Sequence, residues 1–270
     1  MRKLLLNIIT FSLILIILIP FFWMFSTSLK PLPEVNKIPP QWTCKGMSFK
    51  SYCDMFMYLP FTTYAINSFI IALSTTFLTL LIGSLAGFAF ARCQFKGKEF
   101  ILIVFLLSQM LPGASIIIPL FQLIRKAGIY DTPVGLILVH TSVLLPFVIW
   151  LLYGFFKTIP QEVEDAALID GCSKLDVLLK VLLPLSLPGL GATALFAFLG
   201  SWNEFFFALI LTESDTSRTI PVGIGLFVGE YRDVWNQMSA AAVLFSIPPL
   251  VLFLMLQKTF VKGLTAGALK

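Results

Sequence analysis

Six stretches of this chain are long, apolar and almost free of charge. Residues 4–29, 64–91, 100–124, 133–156 and 236–257 hold no Asp, Glu, Lys or Arg, and 185–212 holds only Glu204. Crossing a hydrocarbon core of roughly 30 Å takes about 20 helical residues. Inside lipid the backbone must satisfy its own hydrogen bonds, which leaves helices or closed barrels. The alternating pattern of barrel strands is absent. The expected fold is therefore an all-α integral membrane bundle of six transmembrane helices. Only 12% of the side chains are charged, against about 25% in soluble domains.

The basic start Met1-Arg2-Lys3 invites a signal-peptide reading. The uncharged run after it is too long for an h-region and no A-x-A-like site follows, so a retained span is expected. Eleven of the nineteen Lys and Arg residues lie on the side of the N-terminus. By the positive-inside rule both termini are cytoplasmic. The net charge of +5 then reflects topology and anionic lipid, and gives no reason to expect nucleic acid. Cys93 and Cys172 would face the reducing side. Cys44 and Cys53 would lie outside, where they could pair, although spacing does not decide connectivity. In the outer segment 30–61, prolines make the first half extended or turned. Its aromatics suit the membrane interface. It is too short for a ligand-binding domain, so any high-affinity substrate capture would have to come from elsewhere.

Between the fourth and fifth spans, residues 158–184 are polar and acidic. Thr158 with Gln161, and Ser173 with Asp176, have the spacing of capping boxes. Gly171 is placed to end the first of two helices. Glu162, Glu164 and Asp165 crowd that helix's first half, where negative charge suits the macrodipole. A helix lying on the membrane surface usually has a basic polar face. This one is acidic, which favours a protein partner.

Asp165-Ala166-Ala167, three residues, Gly171, nine residues, Val181, one residue, then Leu183-Pro184 resembles the EAA motif of permease subunits in binding-protein-dependent ABC importers. That pattern begins with Glu where this chain has Asp165, and has Ile where it has Val181. The run EDAALIDG, the segment Gly200 to Phe205 and the tail Gly263 to Gly267 are similar to the sugar-importer branch, above all to the smaller permease subunit of maltose-type importers. The resemblance implies the type I importer permease fold with 158–184 as a cytoplasmic coupling hairpin. It implies ATPase-coupling roles for Glu164, Asp165, Ala166, Ala167, Asp170, Gly171, Val181, Leu183 and Pro184. Alanines would permit close approach, Asp165 and Glu164 would meet basic groups of the partner, and Gly171 would allow a turn that a side chain would obstruct. The implied partners are a second permease subunit, two cytoplasmic ATPase subunits that carry ATP and Mg, and an extracytoplasmic solute-binding protein, in a bacterial plasma membrane.

Transport needs helices that rearrange. Pro112-Gly113 and Pro119, Pro146, and Pro248-Pro249 are expected to break spans three, four and six. Glu204 is the one acidic residue deep in a span, a position that is functional by default. Gln109, Pro112, Asn203 and Glu204 are candidates to line or gate the path. Alternatively, Glu204 belongs to a structural pair with another subunit. His140 stands alone, which suits a structural hydrogen bond better than a metal.

No enzyme motif occurs. Gly97-Lys98-Glu99 lacks the rest of a P-loop, and there is no H-E-x-x-H or G-x-S-x-G. The chain is therefore expected to be a transport subunit whose ATP hydrolysis takes place on another chain. The alternative, a secondary transporter or channel working alone, would usually carry several intramembrane charges.

Overall fold

The computed structural model describes residues 2–43, 46–227 and 234–268, and every regular element among them is helical. In chain order these are α1 (Arg2–Ser28), α2 (Leu32–Val35), α3 (Lys50–Tyr58), α4 (Phe61–Arg92), α5 (Lys98–Ser108), α6 (Gly113–Lys126) and α7 (Pro133–Lys157). Then come α8 (Gln161–Ile169), α9 (Lys174–Asp176), a π-helical turn (Val177–Leu182), α10 (Leu183–Leu185) and α11 (Leu187–Trp202). The chain closes with α12 (Phe206–Leu211), α13 (Ile220–Leu226) and α14 (Trp235–Ala268). Four helices are unbroken apolar spans, in α1, α4, α7 and the first part of α14. The count reaches six when two sharply bent pairs each count as one: α5 with α6, bent by 99°, and Lys174–Leu185 with α11, bent by 84°.

The chain forms two compact units, residues 1–64 with 220–249, and residues 65–219 with 250–270. In the first, the apolar length of α1 is exposed on all sides, as at Leu4, Phe11 and Ile17. Its last turn is buried instead, at Ser26, Thr27 and Ser28. The segment after α1 folds over that end. The Ser28 hydroxyl meets the Tyr52 hydroxyl at 2.9 Å, and Trp42 packs edge-on against Trp23 at 4.9 Å. Asn236 Nδ2 donates to Ser51 Oγ at 3.1 Å. Cys44 lies outside the described residues, and so does its pairing with Cys53.

The second unit is built on α7. Its residues Val148, Leu152 and Phe156 share a core with Val177, Leu178 and Leu182 of the π-helical turn and Ala197 of α11. Two glycines set the helix spacing. A Cβ on Gly87 of α4 would lie 3.1 Å from the Tyr153 backbone nitrogen, and one on Gly189 would lie 2.4 Å from the Phe155 ring.

The prolines behave unevenly. Pro112 ends the α5–α6 break as expected, but α6 runs through Pro119, α7 through Pro146 and α14 through Pro248 and Pro249. A proline inside a span removes one hydrogen bond, and neighbouring groups can re-satisfy the freed carbonyls. Pro146 frees the Ser142 carbonyl, and Gln109 Nε2 donates to the next carbonyl along, that of Val143, at 3.1 Å.

On the side of the bundle away from the hairpin, Asp131 (φ 57°) staples two loops. Its carboxylate accepts from the Glu213 amide at 2.7 Å, the Ser214 amide at 3.1 Å and the Ser217 hydroxyl. Burial pushes the carboxyl up, but the Ser217 hydroxyl and the two amides outweigh it and hold it down to about 2.

Two predictions follow from this packing. Gly189→Leu should destabilise by about 1–3 kcal/mol through overpacking, lowering the melting temperature of the detergent-purified protein, whereas Gly154→Ala, whose Cβ meets nothing within 4 Å, should not. The folded pKa of Asp131 lies below its ordinary 3.8, so its contribution is present above that pH and is lost as pH falls toward 2. Amide exchange across residues 213–217 should accelerate over that window, and the step should vanish in Asp131→Asn.

Candidate functional site

The hairpin from 158 to 184 is joined directly to the bundle through α7 and α11. Its first helix, α8, starts after Pro160, which presents no side-chain cap. Thr158 does not form the expected capping box: its hydroxyl turns back to donate to the Phe155 carbonyl at 2.7 Å, closing α7 instead. The end of α8 is a Schellman turn. Cys172 N donates to the Ala167 carbonyl at 3.0 Å and Gly171 N to the Leu168 carbonyl at 3.1 Å. Gly171 has φ 87°, while nothing lies within 4 Å of where its Cβ would be. The requirement is thus for a left-handed backbone, and the expected obstruction by a side chain is corrected.

The second capping box does form. Ser173 Oγ accepts from Asp176 N at 3.2 Å, and Ser173 N donates to the Asp176 carboxylate at 3.1 Å. Lys180 (2.6 Å away) and Ser173 hold the Asp176 carboxyl down to about 2. The π-helical turn that follows sends Val177, Leu178 and Leu182 into the core, with Val181 and Leu183 half-buried and Pro184 exposed. π-Turns of this kind recur at functional sites.

The faces of α8 are sharply different. Glu164 is buried and pairs with Arg92 at the end of α4, whose Nη2 also donates to the Ile159 carbonyl at 2.8 Å. Glu164 therefore faces its own chain, which corrects the expectation that it meets a partner's basic group. Ala167 likewise packs inward, against the α7 core. Asp165, Ala166 and Asp170 face outward, beside Val163, Leu168 and an Ile169 that is 86% exposed. Arg92 was not legible as a site residue, because its partner lies 72 positions away. The one available signal was a basic residue at a helix end facing an acidic helix start.

The proposed path residues separate. Gln109 lines a cavity of about 570 Å³ among α5, α6, α7 and α12, together with Ser108, Ser142 and Phe207. Pro112, Asn203 and Glu204 do not line it. Glu204 sits in the break after α11, and its two oxygens accept from Phe207 N at 2.8 Å and Ala208 N at 2.9 Å. These are the orphan donors of α12. His140 Nε2 lies 3.3 Å from Glu204, off the line of a straight hydrogen bond, and His140 Nδ1 meets Ser201 Oγ at 2.8 Å. The ionisable group nearest Glu204 is this chain's own His140, and the structural hydrogen bond expected of His140 is the one it makes with Ser201. Asn203 Nδ2 caps the end of α11 by donating to the Leu199 carbonyl at 3.0 Å.

Removing one member of a buried ion pair costs on the order of 3 kcal/mol, while replacing both members with apolar residues costs far less. Arg92→Ala should thus speed amide exchange across Gln161–Ile169 by about a hundredfold, and Arg92→Met with Glu164→Met should recover most of the protection. Unchanged exchange in Arg92→Ala would remove the pair as the anchor of α8.

Residues 79–266 match the family described as binding-protein-dependent transport system inner membrane component. The trehalose/maltose transport system permease protein MalG of Thermococcus litoralis is 37% identical, covering 100% of this chain and 98% of that protein. The diacetylchitobiose uptake system permease protein DasC of Streptomyces coelicolor is 34% identical over 98% and 96%. The sulfoquinovosyl glycerol permease SmoH of Agrobacterium fabrum is 37% identical over 94% and 89%. The fold matches a chain of a bacterial ABC transporter involved in alginate import, with TM-score 0.79 and 20% identity over 96% of each chain. The chain belongs to the binding-protein-dependent permease family and is a multi-pass membrane subunit of an ABC importer.

Proposed function

We propose that this subunit forms half of the translocation path for a sugar or sugar-like solute and takes its drive from a separate ATPase through α8. The observation that carries this reading is the division of α8 into two faces. One is locked to the bundle by Arg92–Glu164 and Ala167. The other offers a carboxylate, a small Ala166 and an exposed Ile169. A helix fixed on one face and open on the other can pass a push from a bound protein to the bundle without absorbing it. Asp165 suits a charge-assisted contact with Arg or Lys, and Ile169 suits an apolar pocket.

The sugar class is supported by relatives named for trehalose/maltose, diacetylchitobiose and sulfoquinovosyl glycerol. The partners in this reading are a second permease subunit, two cytoplasmic ATPase subunits holding ATP and Mg, and a solute-binding protein. A related alginate importer was crystallised with a pentasaccharide-bound periplasmic protein. The excess of Lys and Arg on the hairpin side favours a cytoplasmic hairpin and termini in a bacterial plasma membrane. The cavity beside Gln109 is the best candidate for this subunit's part of the path.

Uptake of labelled disaccharides and ATP hydrolysis should be measured together in the reconstituted importer. Asp165→Lys and Gly171→Val are expected to cut uptake about tenfold or more, the former through a reversed charge at the contact and the latter through a strained backbone. Hydrolysis should either continue without transport or be lost with the ATPase. Normal uptake by both variants would refute the coupling role, and failure of the parent importer to take up any sugar would refute the substrate class.

A further inference from the structure

Two cations share one aromatic ring at the hairpin-side end of α7. Lys98 Nζ lies 5.6 Å and Lys157 Nζ 5.7 Å from the centre of the Tyr153 ring. Both fall within the roughly 6 Å reach of a cation–π contact. Lys157 Nζ also donates to the Tyr153 hydroxyl at 3.4 Å. Among the described residues neither lysine enters an ion pair. Glu99, next to Lys98 in sequence, is exposed and takes part in none. Two like charges held around one ring repel each other, and an anion bound beside them offsets that repulsion.

Directly alongside is an apolar hollow of about 310 Å³, lined by Trp150, Leu151, Tyr153, Gly154, Phe155 and Thr158. Gly154 keeps it open, since a Cβ there would meet nothing within 4 Å. Tyr153 belongs to both features, lining the hollow and accepting from Lys157 at its hydroxyl. Tyrosine and tryptophan favour the membrane–water boundary, and basic pockets on the cytoplasmic side of membrane helices take anionic headgroups.

We propose that this end of α7 is a binding site for an anionic phospholipid. The phosphate sits between Lys98, Lys157 and the Tyr153 hydroxyl, and an acyl chain lies along Trp150 and Gly154. An acidic patch on a partner protein would satisfy the lysines but gives no role to the open hollow. A soluble phosphate ester has the same shortcoming.

The test is native mass spectrometry of the detergent-purified importer with dioleoylphosphatidylglycerol or dioleoylphosphatidylcholine. The intact importer should retain the anionic lipid in preference to the zwitterionic one. Lys98→Gln with Lys157→Gln should reduce that retention about thirtyfold, each lysine contributing roughly fivefold. Gly154→Leu should reduce it with both lysines in place, by filling the hollow. As a readout independent of that variant's folding, the anionic lipid should raise the melting temperature of the parent importer but not of the double lysine variant. Equal retention by parent and double lysine variant would overturn the proposal. So would displacement of the lipid by glycerol 1-phosphate with Gly154→Leu having no effect, which would mark a plain anion site. Loss of the ATPase from the double lysine variant with lipid retention unchanged would mark a protein contact instead.

Discussion

The pairing of Arg92 with Glu164 fixes where the hairpin points. One member closes the long helix α4 and the other opens α8, so the contact joins segments that the chain itself separates. Both side chains are largely withdrawn from solvent, at 13% and 8% exposure. A pair of this kind adds little net stability over apolar packing, yet breaking it strands a buried charge. Its value here is geometric. With Glu164 turned in, the periodicity of the helix obliges Asp165 and Ile169 to turn out.

Beneath the pair lies an apolar floor. The π-helical turn presents Val177, Leu178 and Leu182 to Val148, Leu152 and Phe156 of α7. The widened turn lets three bulky residues face one core before the chain bends at Ser186 into α11. The hairpin is thereby continuous with two membrane helices through packed side chains. In the proposed mechanism this continuity turns motion of an ATPase into motion of the bundle. Glu204 plays the same structural part at the other interruption, capping α12 and approaching His140 where α11 stops.

Much of this was legible in the sequence because it is local. Uncharged runs marked the four unbroken spans but not the bends that divide 100–124 and 185–212, and local signals gave Gly171 as the end of α8 and Ser173 with Asp176 as the start of the next helix. The spacing of Asp165, Gly171 and Leu183-Pro184 pointed to the family. What remained illegible was non-local. Nothing in the spacing says that Glu164 faces Arg92 while its neighbour Asp165 faces solvent, or that Glu204 meets His140. The prolines were also misread. A proline costs a helix one hydrogen bond, but the helices continue through Pro119, Pro146, Pro248 and Pro249. Thr158 had a capping sequence but lay close enough to the end of α7 to serve that helix instead.

The central claim is that α8 moves with the membrane helices as one body. Spin labels at Leu85 on α4 and Glu162 on α8, both exposed, in an importer freed of its native cysteines, measure this directly by pulsed electron–electron double resonance. The same distance peak without nucleotide and with ATP is the predicted result. A displaced or second peak on adding ATP would show the hairpin moving by itself, and would contradict the account.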